Sequence, residues 1–358
     1  MKRRILVTGA GGAPALNFVR SLRLTGEPFH LIGADADPYY LQRAETDERH
    51  LLPRCDAADY LSLLNALLEE TGAELLFAQP DAEIEVLSER RDEVRTRLFL
   101  PARETVRTCM NKYASYECWR KQELRVPQTM LINTPEDLRL CFERFGPRIW
   151  VRECKGAFGK GSLPTASYEQ AQAWIDFHKG WGRFTGAECL ERDTVTWQSI
   201  WWQGELMVAQ GRRRLYWEFA NRAPSGVTGL TGAGVTVSDP VVDDIARQAI
   251  RAIDARPHGI FSVDLTYDRD GVPNPTEINI GRFFTTHLFF AAAGLNMAFI
   301  FVKLALGEEV ALPSQRVNPL TPGLLWIRGM DKEPVLTNVD RIEQTVRELE
   351  ERRRSVRP

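Results

Sequence analysis

The sequence predicts a mixed fold, α/β over its first hundred or so residues and α+β beyond, and three observations carry that prediction. The opening segments alternate short apolar strands with amphipathic helices, the pattern of a parallel sheet covered by helices on both faces. Farther along, strands follow one another directly, and "WWQGEL" has the form of a tight antiparallel hairpin. The composition, 44% apolar and 26% charged over 358 residues, is that of a globular chain with enough length for two or three packed units.

The elements follow in order. "RRILVT" is a strand by its branched apolar content, "GAGGAPA" a turn, and "LNFVRSLRLTG" an amphipathic helix closed by Gly26. "FHLIGADADP" is a second strand, residues 58–71 a helix, and "AELLFAQP" a third strand. "CMNKYASYECWRKQELRVPQTMLI" reads as helix, proline turn and strand. "RIWVREC" is a strand, a glycine loop follows, and "YEQAQAWIDFHKG" is a helix. Next come the strands "GAECLE", "VTWQSIWWQGELMVAQGRRRLYW" and "FSVDLTY", the last turning through "DRDG" into "TEINI". "SGVTGLTGAGVTV" reads as a Gly/Thr-rich loop and "PVVDDIARQAIRAIDARP" as a helix. "LFFAAAGLNMAFIFV" is too short for a membrane span, which needs about 20 apolar residues, and reads as one buried helix. The tail "RIEQTVRELEERRRSVRP" reads as a solvated charged helix.

Several function classes are disfavoured. A net charge of −2 gives no reason to expect nucleic acid or an anionic membrane as partner. The six cysteines form no CxxC and no zinc-spaced cluster with histidine, which fits a reducing, cytoplasmic setting. "MKRRILVTGAGG" is a strand start and not a signal peptide.

Three motifs carry chemistry. "VTGAGGAP" matches part of a dinucleotide fingerprint through Gly9 and Gly11, with Asp35 or Asp37 placed to hold a ribose, but Pro14 stands where the third glycine belongs. No tyrosine is followed by lysine at i+4, as many such oxidoreductases and epimerases require. A bare turn and an NAD(P) site both remain open there. "GAFGKGS" has Gly156 and Gly161 at P-loop spacing with the lysine misplaced, leaving a glycine loop able to cradle phosphates or to serve as a plain turn. In "VDLTYDRDGVPNPTEIN", Glu277 and Asn279 share a strand face by alternation, and Asp264 on the partner strand can join them. Two carboxylates and an amide oxygen suit a hard cation such as Mg²⁺; a structural pair with Arg282 is the alternative.

Taken in order, these pieces resemble the ATP-grasp superfamily, of the carboxylate–amine ligase type and similar to its carbamoyl-phosphate-synthase-like branch. The resemblance runs over residues 1–310. It implies an N-terminal Rossmann-like domain (1–105), an ATP-grasp domain (106–310) with a small lid subdomain (126–190), and a C-terminal extension (311–358). "NKYASYECWRKQELRVPQT" makes Lys112 a nucleotide-phosphate ligand, and "WVRECKGAFGKGS" resembles the strand and loop that close over ATP. That adds Arg152, Gly156, Gly159, Lys160, Gly161 and Ser162 to the nucleotide set. "AECLE" resembles the adenine hinge, implying Glu188, Leu190 and Glu191. The "VDL…TEIN" pair implies two Mg²⁺ sites, with Mn²⁺ as a substitute, on Asp264, Glu277 and Asn279, and makes Arg282 the catalytic arginine. For substrate, the resemblance directs attention to Arg213 in "GRRRLYWEF" and to Thr285 and Thr286 in "RFFTTH".

Three departures from the family pattern stand out: arginine at 152 in place of lysine, Asp193-Thr194 where a ribose-binding glutamate is usual, and "EINIGRF" for E-I-N-P-R. The implied reaction activates a small-molecule carboxylate as an acyl phosphate and joins it to an amine, and the resemblance implies a cytoplasmic enzyme working as a homodimer. The competing readings are the NAD(P)-dependent oxidoreductase and a non-catalytic nucleotide binder on a degenerate fold of the same kind.

Overall fold

The computed structural model describes residues 2–156, 159–191, 193–329 and 337–356. Ala157 and Phe158 of the glycine loop lie outside the described residues. Three sheets form in chain order.

The first holds β1 (Arg3–Thr8), β2 (Phe29–Asp35), β3 (Glu48–Leu51), β4 (Leu75–Phe77) and β5 (Arg97–Leu98), in the order β3-β2-β1-β4-β5. Every pairing in it is parallel. Alternation along β1 shows why it is buried on both faces. Ile5 and Val7 enter one core with Phe18 of helix Ala13–Arg23, while Leu6 enters the other with Leu63, Leu64 and Leu67 of helix Tyr60–Thr71.

The second sheet is small and antiparallel: β6 (Thr129–Ile132), β7 (Ile149–Glu153), β8 (Leu163–Thr165) and β9 (Phe184–Glu188), in the order β6-β9-β7-β8. Helices Pro135–Phe145 and Tyr168–Phe177 cover it. Leu138, Cys141, Ala171 and Ile175 pack there on Ile132, Ile149, Val151 and Phe184, a core separate from the other two.

The third sheet contains β10 (Thr194–Trp202), β11 (Glu205–Trp217), β12 (Thr231–Val237), β13 (Gly259–Tyr267), β14 (Pro273–Ile280) and β15 (Leu325–Ile327). Its order is β14-β13-β10-β11-β12-β15, antiparallel throughout. It shares both large cores with the first sheet: Phe301 stacks on Phe99 and meets Phe18, Phe77 and Phe283 edge-on.

Three sequence expectations change. The segment read as one helix is two, Leu288–Ala292 and Met297–Leu306. Gly294 at φ +104° breaks the run, and the Asn296 side chain accepts from the Phe299 N–H to start the second helix. Half of the segment read as a Gly/Thr loop is strand β12, whose N–H and C=O groups pair with β11. The C-terminal helix Val339–Ser355 is not wholly solvated: Thr345 and Leu349 are buried, and Arg352 and Arg353 pair with Glu70 and Asp59 of the first unit. Among the described residues no helix is long and apolar enough to cross a membrane.

Candidate functional site

A row of side chains crosses the third sheet. Register places Glu277 of β14 opposite Asp264 of β13, Asp264 opposite Thr196 of β10, and Thr196 opposite Arg212 of β11. All four line one cavity of about 320 Å³. Asp264 accepts from Thr196 Oγ1 at 2.6 Å and from Asn279 Nδ2 at 3.1 Å. The prolines of β14 are tolerated because it is an edge strand. A bulge falls between Asp264 and Leu265, with Thr276 as the extra residue. The carbonyl this frees accepts from Arg152 Nη2 at 2.9 Å, which ties β7 of the small sheet to the row.

Cations converge on these acids. Lys112 opens helix Lys112–Lys121 behind the Asn111 cap; its Nζ lies 3.4 Å from Glu277 Oε2 and donates to the Gly156 carbonyl at 2.6 Å. Arg282 pairs with Asp81, at the N-terminus of helix Asp81–Glu89 in the first unit, and donates to Asn279 Oδ1 at 2.7 Å. Arg214 Nη2 stands 3.7 Å from Asp264 Oδ1, with its guanidinium carbon 3.6 Å above the Trp217 ring. Burial opposes charge on Glu277, but Lys112, Arg152 and Arg282 outweigh it and hold the carboxylate below its usual range. Burial instead raises Asp264, with Arg214 acting against the shift and Glu277 adding to it. Among the described residues, Lys112, Arg152, Lys155, Arg212, Arg214 and Arg282 face Asp81, Glu85, Asp264 and Glu277 here, so the site is cationic overall.

Of the residues singled out from sequence, Lys112, Gly156, Gly159, Asp264, Glu277, Asn279, Arg282 and Thr285 line the cavity. Lys160, Gly161 and Ser162 follow in the turn into β8, outside the lining, where the Gly161 carbonyl accepts from Trp174 Nε1. Glu188, Leu190 and Glu191 leave the end of β9, also outside it; Glu188 accepts from Gln128 N, and Glu191 N donates to the Tyr267 carbonyl. Arg213 is a correction: it points to the opposite face, 3.8 Å from Asp193 and over the Tyr267 ring. Strand alternation turns Arg212 and Arg214 inward in its place. Thr286 supports Arg212, accepting from Nη1 at 3.0 Å.

Sequence reasoning also missed Asp81, although "QPDAE" stands where β4 ends and a helix begins, the edge at which open parallel sheets present ligand-binding groups. The dinucleotide turn is filled by the chain itself. A Cβ on Gly11 would lie 1.8 Å from the Tyr40 carbonyl oxygen, and Asp35 already accepts from Gly11 N at 3.0 Å. That leaves no room for a pyrophosphate against Gly11. A larger open cleft of about 830 Å³ lies between β3 and helix Val339–Ser355, but acids and bases there pair with one another, as Glu48 does with Arg4, His30 and His50.

No protein-family model matches the chain, and no curated protein matches it. Solved structures do. The biotin carboxylase domain of Hydrogenobacter thermophilus 2-oxoglutarate carboxylase, a dimer in complex with MgADP and bicarbonate, aligns with a TM-score of 0.70 and 14% identity, covering 91% of this chain and 73% of that one. Carboxyaminoimidazole ribonucleotide synthase from Aspergillus clavatus, complexed with ATP, gives 0.67 and 17%, covering 88% and 80%. L-amino acid ligase from Bacillus licheniformis gives 0.65 and 12%, covering 85% and 74%. With these neighbours, a parallel sheet leading into two antiparallel ones, and acids and cations gathered between the latter, the chain has the ATP-grasp fold.

Proposed function

We propose that the protein is an ATP- and Mg²⁺-dependent ligase that activates a carboxylate as an acyl phosphate and joins it to an amine. The observation that carries this reading is the Asp264–Glu277 pair, set on adjacent strands beneath a glycine-rich loop and surrounded by cations. The neighbours support it: one is an amino acid ligase, and others hold ATP, or MgADP with bicarbonate.

The donor set fits Mg²⁺. Both carboxylates offer hard oxygens to one cavity, the Asn279 amide oxygen beside them accepts from Arg282, and a Mg²⁺ site commonly has one or two carboxylates with substrate phosphates completing it. Mg²⁺ held by Asp264, Glu277 and Asn279 would neutralise charge on the triphosphate.

The chain's own residues do the rest. Lys112, Arg152 and Arg282 hold and balance the phosphates. The carboxylate oxygen attacks the γ-phosphorus and ADP departs; the amine nitrogen then attacks the acyl carbon, losing a proton as phosphate leaves. The small-sheet subdomain, residues 126–190, serves as a lid. Its separate core lets it move as a body, and its glycine loop reaches across the cavity, with Lys155 on Glu85 and Gly159 against Val227. Closure would keep water from the acyl phosphate.

The test is thermal unfolding with ATP, NAD⁺ or NADPH, each with and without Mg²⁺. A ligand at one hundred times its Kd stabilises by about 2.7 kcal/mol. MgATP is expected to raise the midpoint, and Glu277→Gln to lose that shift and all turnover while remaining folded. A shift with NAD⁺ or NADPH and none with MgATP overturns the reading.

A further inference from the structure

Among the described residues, one cation lining the cavity has no carboxylate in direct ion-pairing contact. Arg212 is 1% exposed, yet its hydrogen bonds all go to hydroxyls: Thr196 at 2.9 Å, Thr286 at 3.0 Å and Thr231 at 3.2 Å. Its Nε has no partner among the described residues. The guanidinium carbon lies 4.5 Å from the centre of the Phe284 ring, so its plane is braced on one side. Burial and the neighbouring Arg214 pull its pKa down to about 9, with Asp264 acting against the shift, so it stays charged at neutral pH.

A buried guanidinium with no carboxylate in direct contact is costly to keep. Arg214, two residues along the same face, already has Asp264. Arg212 lies two strands from Asp264 in the row and reaches it only through the Thr196 hydroxyl, which accepts from Arg212 Nη2 at 2.9 Å and donates to Asp264 at 2.6 Å; Glu277 is three strands away. It therefore stands at the end of the row away from Glu277 and Lys112.

Resting on the ligase reading, we propose that Arg212, oriented by Thr196, Thr231 and Thr286, is the anion-recognition subsite for the second reactant. That reactant is a small acid presenting an anionic oxygen group, carboxylate or phosphate, to the guanidinium. The forked donors of arginine suit two-oxygen recognition of such a group, and lysine would not reproduce it. The substrates expected are acids with a negative group clear of the amine partner, whereas neutral or cationic compounds would leave Arg212 unbalanced.

The γ-phosphate of ATP offers the same anionic oxygens, so the test separates the two sources. Wild type, Arg212→Met and Arg212→Lys are titrated by thermal unfolding with MgADP, with MgATP, and with malonate in the presence of MgADP. In the ligand-free state Arg212→Met should unfold at or above the wild-type midpoint, because a buried unpaired charge has been removed. Both variants should keep wild-type affinity for MgADP and MgATP and weaken malonate about ten- to a hundred-fold, the range for a lost charged hydrogen bond. Weakened MgATP with unchanged MgADP would assign Arg212 to the γ-phosphate and overturn the proposal. A lowered ligand-free midpoint with malonate binding intact would make Arg212 structural and overturn it too, as would absence of a malonate shift in wild type. Failure of wild type to respond to MgADP or MgATP would instead sink the ligase reading on which the proposal rests.

Discussion

Replacing Gly159 by alanine tests whether the glycine loop works as a lid. Gly159 has φ +68°, a conformation that costs an L-residue about 1–2 kcal/mol. Its added Cβ would sit 2.3 Å from the Val227 carbonyl oxygen and 3.0 Å from the carbonyl carbon. Real Cβ atoms keep at least 3.0 Å, so loop and carbonyl must separate by roughly an ångström, a misplacement able to cost about a hundredfold in rate. The contact joins two sheets with different cores, so the small sheet can retreat without unfolding either. Gly159→Ala is therefore expected to lower turnover by about a hundredfold, to release phosphate without matching amide as water reaches the acyl phosphate, and to shift the unfolding midpoint by only a few degrees. Gly226→Ala is the control: its φ is +71° and nothing lies within 4 Å of its Cβ, so it imposes strain without the clash. The assay measures phosphate and amide product side by side. Equal rates and equal coupling in wild type and Gly159→Ala would refute the lid argument; so would the same loss in both variants.

Other expectations follow from single contacts. Asp81→Asn removes the partner that aims Arg282 and should lower kcat by about tenfold or more with a smaller effect on MgADP affinity; an unchanged kcat would mean that Arg282 needs no such support. Arg213→Ala, on the far face of β11, should leave every substrate KM unaltered and stability within about 0.5 kcal/mol of wild type; a raised KM would return Arg213 to the site. Glu83 is buried, accepts from Thr8 and Tyr60, and burial pushes its pKa from 4.5 to about 6. An acid whose pKa is raised on folding is protonated more readily in the folded state, so its contribution is full below pH 4.5 and fades as pH rises to about 6. The stability of wild type relative to Glu83→Gln should fall by about 2 kcal/mol across that window; a flat difference would contradict the assignment.

Much of the fold was legible because strands and helices impose different periods. The parallel unit follows from "RRILVT", "FHLIGADADP" and "AELLFAQP" with their intervening helices, and the hairpin of the third sheet from "DRDG". The acidic pair was legible for the same reason: alternation puts Glu277 and Asn279 on one face, and the hairpin brings Asp264 across. In "GRRRLYW", alternation separates Arg213 from Arg212 and Arg214, but it cannot say which face meets the cavity. That depends on the register between β10 and β11, a matter of long-range pairing. Asp81 was hidden differently, since it lies 201 residues from Arg282 and on another sheet. The break at Gly294 escaped because a buried apolar run reads alike whether continuous or capped midway by Asn296.

The row itself explains why the site tolerates so much buried charge. Glu277 at one end meets Lys112, Arg152 and Arg282, so it stays ionised despite its burial. Asp264, one strand in, has Arg214 but also Glu277 beside it, and its pKa rises. Arg212 at the far end has only hydroxyls. Cations are thus in excess around Glu277, and at the other end Arg212 meets a carboxylate only through the Thr196 hydroxyl. A triphosphate entering with Mg²⁺ would bring net negative charge to the cations of the first end, and an anionic reactant would meet Arg212 at the second. Each partner would relieve an electrostatic cost that the empty chain carries, and the two costs lie on one rigid sheet, so filling one end leaves the geometry of the other unchanged. The two reactants should accordingly bind with near-independent affinities, coupled mainly through closure of the small sheet over both.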